Sequence, residues 1–136
     1  MRSVRRALIV VLILPVVAGC SSGPPSGEVR GKVTFKGEPV KEGTVTFLNP
    51  TQGGAYEAKL NAEGVFEVSG KVAVGEYLVI VTPLIEIKDT DPGKSPPAPV
   101  EKPAPNIPIR FRQQGSTPLR ANVKAGKNDF TFDMKP

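Results

Sequence analysis

The sequence predicts an all-β protein: a seven-stranded antiparallel β-sandwich over residues 28–136, following a cleaved leader. Three observations predict it. Short apolar runs alternate with polar residues at a period of two. Gly, Asn and Pro clusters separate the runs at sandwich spacing. No stretch after residue 28 carries a helical period.

Each strand is justified by its own alternation. Val29, Gly31, Val33 and Phe35 share one face; Arg30, Lys32, Thr34 and Lys36 share the other. Lys36-Gly37-Glu38-Pro39 turns the chain. Val45 and Phe47 alternate with Thr44 and Thr46, and Asn49-Pro50 ends that strand. Tyr56, Ala58 and Leu60 oppose Glu57 and Lys59. The turn Asn61-Ala62-Glu63-Gly64 supplies a glycine for positive φ. Phe66 and Val68 resume the inward face. Tyr77, Val79 and Val81 lie on one face of the next strand, with Leu78 and Ile80 on the other. Apolar residues on both faces predict a central strand, or one covered by the segment that follows. Leu119, Ala121 and Val123 form the sixth strand. Ala125-Gly126-Lys127-Asn128 turns, and Phe130, Phe132 and Met134 close the sheet. Tyr77 leaves two readings open: a tyrosine-corner hydrogen bond to nearby backbone, or a half-buried core tyrosine. About fifteen inward side chains, at roughly 1.5–3 kcal/mol each, offset the ordering entropy of such a domain without disulfide or metal.

The length of 136 residues suits one domain. Lys and Arg number 18 against 13 acidic residues, a net charge of +5. Without Arg2, Arg5 and Arg6 the balance is 15 against 13, or +2. The basic character is partly that of the N-terminus, so no nucleic-acid partner is expected. The chain has no His and one Cys. That excludes a Ser-His-Asp triad, a Cys-His dyad and an internal disulfide.

Residues 1–19 read as a signal peptide. Met1 to Arg6 is basic, and Ala7 to Ala18 is an apolar run interrupted only by Pro15. The run is too short for the roughly 17–25 residues of a spanning helix. The ending Val17-Ala18-Gly19-Cys20 resembles the lipobox of bacterial lipoproteins. The resemblance implies that Val17, Ala18 and Gly19 are recognised by the signal peptidase. It also implies diacylglyceryl transfer to the Cys20 thiol and cleavage before Cys20. Ser21 after the Cys fits outer-membrane sorting. Residues 20–27 would be the lipidated Cys and a Gly/Ser/Pro tether, with the domain spanning 28–136.

Further motifs carry a family resemblance. These are Val29-Arg30-Gly31-Lys32-Val33 running into Gly37-Glu38-Pro39-Val40, Gly43-Thr44-Val45-Thr46-Phe47, Gly64-Val65-Phe66, and Gly75-Glu76-Tyr77-Leu78-Val79. They resemble carboxypeptidase regulatory-like, transthyretin-like domains. With the lipobox, the chain is similar to small lipoproteins of planctomycete-type bacteria. Ile107-Pro108-Ile109-Arg110-Phe111, Thr117-Pro118-Leu119 and Gly126-Lys127-Asn128-Asp129-Phe130 match the tail of that group. The resemblance implies a Greek-key sandwich and a non-catalytic accessory role. The turn at 61–64 lacks the group's Thr-Asp, and Pro118 follows Thr117.

Residues 83–108 hold eight of the fifteen prolines. A loop this long requires a function or disorder. Two readings stand: a spacer across one end of the sandwich, or a polyproline recognition arm for an envelope partner. Leu84 to Ile87 is able to extend the preceding strand.

Little catalytic chemistry is marked. Asp89-Thr90-Asp91-Pro92-Gly93 lacks the later ligands of a calcium loop. There is no Walker-type loop and no G-x-S-x-G elbow. With no Trp and only Tyr56 and Tyr77, a sugar-stacking platform is poorly supplied. Arg110-Phe111-Arg112 and Lys124 with Lys127 are small cationic clusters that mark no site. The expectation is a lipid-anchored envelope protein with a structural or interaction role, needing no cofactor or metal. The alternative is a carbohydrate- or peptide-binding module serving an envelope enzyme.

Overall fold

The computed structural model describes residues 23–87, 93 and 98–136. Among the described residues eleven strands follow in chain order. They are β1 (Ser26–Phe35), β2 (Glu38–Pro39), β3 (Thr44–Leu48), β4 (Ala55–Lys59), β5 (Val65–Glu67), β6 (Val72–Ala73), β7 (Gly75–Thr82), β8 (Ile85–Ile87), β9 (Pro99–Glu101), β10 (Arg120–Val123) and β11 (Gly126–Met134). Among the described residues the one helical turn is a 3₁₀ turn, Ile109–Phe111.

β1 is the central strand of the first sheet and shows the predicted alternation, with Val29, Gly31 and Val33 buried. Along one edge it pairs antiparallel with β6, β5 and β2 in succession. Along the other it pairs with β11 in parallel, from Gly27 opposite Gly126 to Phe35 opposite Met134. The expected all-antiparallel pairing is corrected there. A parallel pair needs a long crossover between its strands, and nearly the whole domain lies between β1 and β11. Alternation within a strand carries no information on its neighbour's direction. The second sheet has the order β10-β7-β3-β4 and is antiparallel throughout. β7 is central in it, as its two apolar faces predict.

The inward faces of the two sheets meet in one core. Phe47 of β3 reaches across to Phe66 of β5 at 5.8 Å and Phe132 of β11 at 6.2 Å between ring centroids. It also meets Tyr77 edge-on at 6.2 Å. Such offset and edge contacts add to the burial term of each ring. Gly31 is required by close approach. A Cβ there would stand 2.2 Å from the Phe130 carbonyl oxygen and 2.8 Å from the Phe66 ring.

The turns follow their residues. Lys36 and Gly37 both take positive φ, 52° and 83°, which a tight primed turn needs to fold β2 back on β1. Gly64 takes φ 73° as predicted, and Asn61 Oδ1 accepts the N–H groups of Glu63 and Val65. Of its two readings Tyr77 takes the hydrogen-bonded one, and it is fully rather than half buried. Its hydroxyl donates to the Ala73 carbonyl at 2.7 Å. Burial pushes that hydroxyl above the ordinary phenol range, partly offset by a hydrogen bond with Asn49.

Two expectations about the proline-rich segment change. Leu84 to Ile87 does not prolong β7. Pro83 and Leu84 interrupt the strand, and β8 pairs instead with β9, Ile85 opposite Glu101 and Ile87 opposite Pro99. The returning chain then enters the core. Ile107, near the end of the insertion, and Phe111, just after it, are fully buried against the sandwich, so the end of the insertion is structural. Asp89 to Pro92, of the stretch that lacks the later ligands of a calcium loop, lies outside the described residues.

Candidate functional site

The residues expected to carry the anchor, Val17, Ala18, Gly19 and Cys20, lie outside the described residues. The structure does define where the chain that follows them enters the domain. Val74 N–H donates to the Pro25 carbonyl at 3.0 Å, and Ser26 and Gly27 pair with β6. The strand therefore begins two residues before Glu28.

This entry point gives the sandwich a polarity. The turns at 49–54 and 124–126 share its end, because Gly126 pairs with Gly27 and Gly75 lies beside Asn49. The turns at 36–37 and 61–64 and the start of the β8–β9 hairpin lie at the other end. β7 joins the two ends and spans roughly 25 Å.

At the entry end, a groove of about 460 Å³ is lined by Glu28, Arg30, Glu67, Lys71, Lys127 and Asn128, among others. Its charges are largely paired. Lys71 Nζ lies 2.8 Å from Glu28, and Arg30 Nε lies 3.1 Å from Asp129. The Lys71 hydrogen bond, then its charge, hold the Glu28 carboxyl below its ordinary range. Asn128 ties the base of the groove. Its Oδ1 accepts Lys124 N–H at 2.9 Å, and its Nδ2 donates to the carbonyls of Lys124 and Glu28. The Asn of the Gly126-Lys127-Asn128 motif is thus a turn-closing residue.

At the far end, the hairpin presents apolar side chains to solvent. Ile85 and Ile87 are 66% and 70% exposed, and Val100 is also exposed. Ile85, Ile87 and Pro99 share one hairpin face by register, and Glu86 and Val100 share the other. Cationic side chains pin the base of the arm. Arg112 donates to the carbonyls of Ile107 at 2.8 Å and Ala104 at 3.0 Å, and pairs with Glu101 at 3.1 Å. Lys102 Nζ lies 2.7 Å from Glu42, and that hydrogen bond raises its pKa. Of the Arg110-Phe111-Arg112 cluster, Arg110 lies over the Phe111 ring and donates to the Lys135 carbonyl. Both arginines act on the fold.

Tyr56 and Tyr77 face each other edge-on at 6.0 Å, and the phenylalanines Phe47, Phe66, Phe111, Phe130 and Phe132 lie in or against the core. Among the described residues, no group of three or more potential metal ligands is brought together. Among them also, no helix is long and apolar enough to cross a membrane. Sequence reading missed the hairpin and the core roles of Ile107 and Phe111. The four-residue spacing between those two, across a proline-initiated turn, was the available signal. No known protein family, characterised protein or solved structure matches the chain.

Proposed function

We propose that the chain is a lipid-anchored cell-envelope protein with a non-catalytic structural or interaction role. One observation carries it. The only sulfur nucleophile, Cys20, closes a basic-apolar-small leader, and β1 begins six residues later. Each buried lipid methylene contributes about 0.8 kcal/mol, so two or three acyl chains hold the domain at a membrane. The outer membrane is the favoured destination, from Ser21. Within this reading the sandwich has the transthyretin-like, Greek-key arrangement of the carboxypeptidase regulatory-like group. Support comes from seven main strands in two sheets, with the connections β2 to β3, β4 to β5, β6 to β7 and β10 to β11 passing between them. The lipid raises local concentration, and exposed strands make the contacts.

Metabolic labelling with a tagged fatty acid tests the anchor. Label is expected on the wild type and absent from Cys20→Ala; equal labelling overturns the reading. The exposed Ile85 and Ile87 favour a second reading, a peptide-binding module serving an envelope enzyme. Peptide arrays separate the two. Binding lost in Ile85→Asp supports the module, and a blank array leaves the structural role.

A further inference from the structure

We propose that β11 is a pairing edge whose occupant is β11 of a second copy of this chain, set antiparallel about a two-fold axis at Phe130. The proposal stands independently of the lipid anchor.

The peptide groups of β11 show which residues face outward. The Met134 carbonyl accepts the Lys36 N–H at 3.1 Å, and the carbonyls of Phe130 and Gly126 lie against Gly31 and Gly27 of β1. Successive peptide groups in a strand point to opposite edges. The even-numbered residues therefore bond to β1. Lys127, Asp129, Thr131 and Asp133 turn their N–H and C=O groups away from the sheet. Among the described residues none of these four has a backbone partner there, and all four are exposed. β11 has nine residues, no proline and an unbroken register with β1. Free edges of this kind are templates for another strand unless they are blunted.

The occupant follows from self-complementarity. The antiparallel register that uses all nine residues places residue 126 opposite 134 and Phe130 opposite itself. It pairs outward residues only with outward residues: Lys127 with Asp133, and Asp129 with Thr131. That closes about eight N–H···O bonds. It also forms two Lys–Asp cross-strand pairs related by the axis. Opposite charges directly across a strand pair favour the register, and like charges there oppose it. Asp129 is already neutralised by Arg30 at 3.1 Å. Phe130, half-buried in the free chain, meets its symmetry mate at a non-hydrogen-bonded position, where side chains approach most closely. The other long edges lack this match. β4 paired to itself over its length sets Glu57 against Glu57, and β10 has four residues with Pro118 two positions ahead.

Sedimentation velocity on the full chain in detergent, from micromolar to near-millimolar concentration, tests the proposal. A concentration-dependent dimer is expected. Thr131→Pro removes an outward N–H without touching a bond to β1, so it is expected to give a monomer with an unchanged circular-dichroism spectrum. Lys127→Asp alone, and Asp133→Lys alone, are each expected to weaken the dimer at least tenfold. Lys127→Asp with Asp133→Lys is expected to restore it. A wild type that stays monomeric overturns the proposal. So does a dimer that folded Thr131→Pro leaves intact, or a double exchange that fails to restore pairing. If Thr131→Pro does not fold, the three charge variants decide alone.

Discussion

β7 and β8 are neighbours in sequence and opposites in environment. Val79 and Val81 of β7 are completely buried, whereas Ile85 and Ile87 of β8 are largely exposed. Both strands place β-branched residues at every second position, Val79 and Val81 in β7 and Ile85 and Ile87 in β8, and β7 adds Ile80 and Thr82 between and after them. The difference lies in what stands opposite. β7 has β10 and β3 on either side and the first sheet across the core. Among the described residues β8 has only β9, which includes Pro99, and the two form a sheet of two strands. Two short strands bury almost nothing without a layer to cover them. Periodicity therefore specifies strand conformation, and burial is decided by partners that lie far away in sequence.

Breaking the contrast begins in the body. Phe47→Ala removes the ring that joins both sheets and is expected to cost about 3–5 kcal/mol in denaturant unfolding. Ile87→Ala, which also removes a large apolar group, is expected to fall within about 0.5 kcal/mol of wild type. Equal losses would mean that the arm is part of the cooperative core. Gly31→Ala drives a methyl group against the Phe130 carbonyl and the Phe66 ring, with an expected loss of about 1–3 kcal/mol.

Tyr77→Phe sharpens the comparison by pH. The Tyr77 hydroxyl is buried, and its pKa stands above the ordinary value of 10.0. Its contribution is full below that value and is lost as pH rises through the raised folded-state pKa. Removal of the hydrogen bond to Ala73 is expected to cost about 1 kcal/mol at neutral pH. The variant's stability should then fall less steeply than wild type above pH 10. Arg112→Ala acts at the junction. Losing its bonds to Ile107, Ala104 and Glu101 should raise amide exchange across β8 and β9 while leaving the β1 and β7 amides protected. The smallest expected effect is that of Ile85→Asp on stability, near zero by thermal melting, because the residue packs against little.

How far the sequence could be read follows from the same contrast. The alternation of β1, β3, β4, β7 and β11 and the turn glycine Gly64 were legible, because each depends on residues next to one another. The inward positions of Val29, Val33, Phe47, Phe66 and Tyr77 were legible too. The parallel direction of β11 against β1 was not, since strand direction is a property of the chain path. The core roles of Ile107, inside the proline-rich loop, and of Phe111, just after it, were not legible because their partners are on strands distant in sequence. The β8–β9 pairing was hidden by prolines, which a two-stranded edge tolerates and a central strand does not. Of the candidate site, the leader and Cys20 were read from local pattern. The groove at the entry end, built from β1, β11 and the 67–71 segment, arises only on folding.

The central claim is that this two-sheet body is held at a membrane through Cys20. Intact-mass and peptide mass spectrometry of the protein isolated from its native envelope tests it most directly. The account predicts a chain whose first residue is Cys20, with a diacylglyceryl group in thioether linkage to its sulfur. A chain that retains residues 1–19, or one that carries Cys20 as a free thiol, would contradict it.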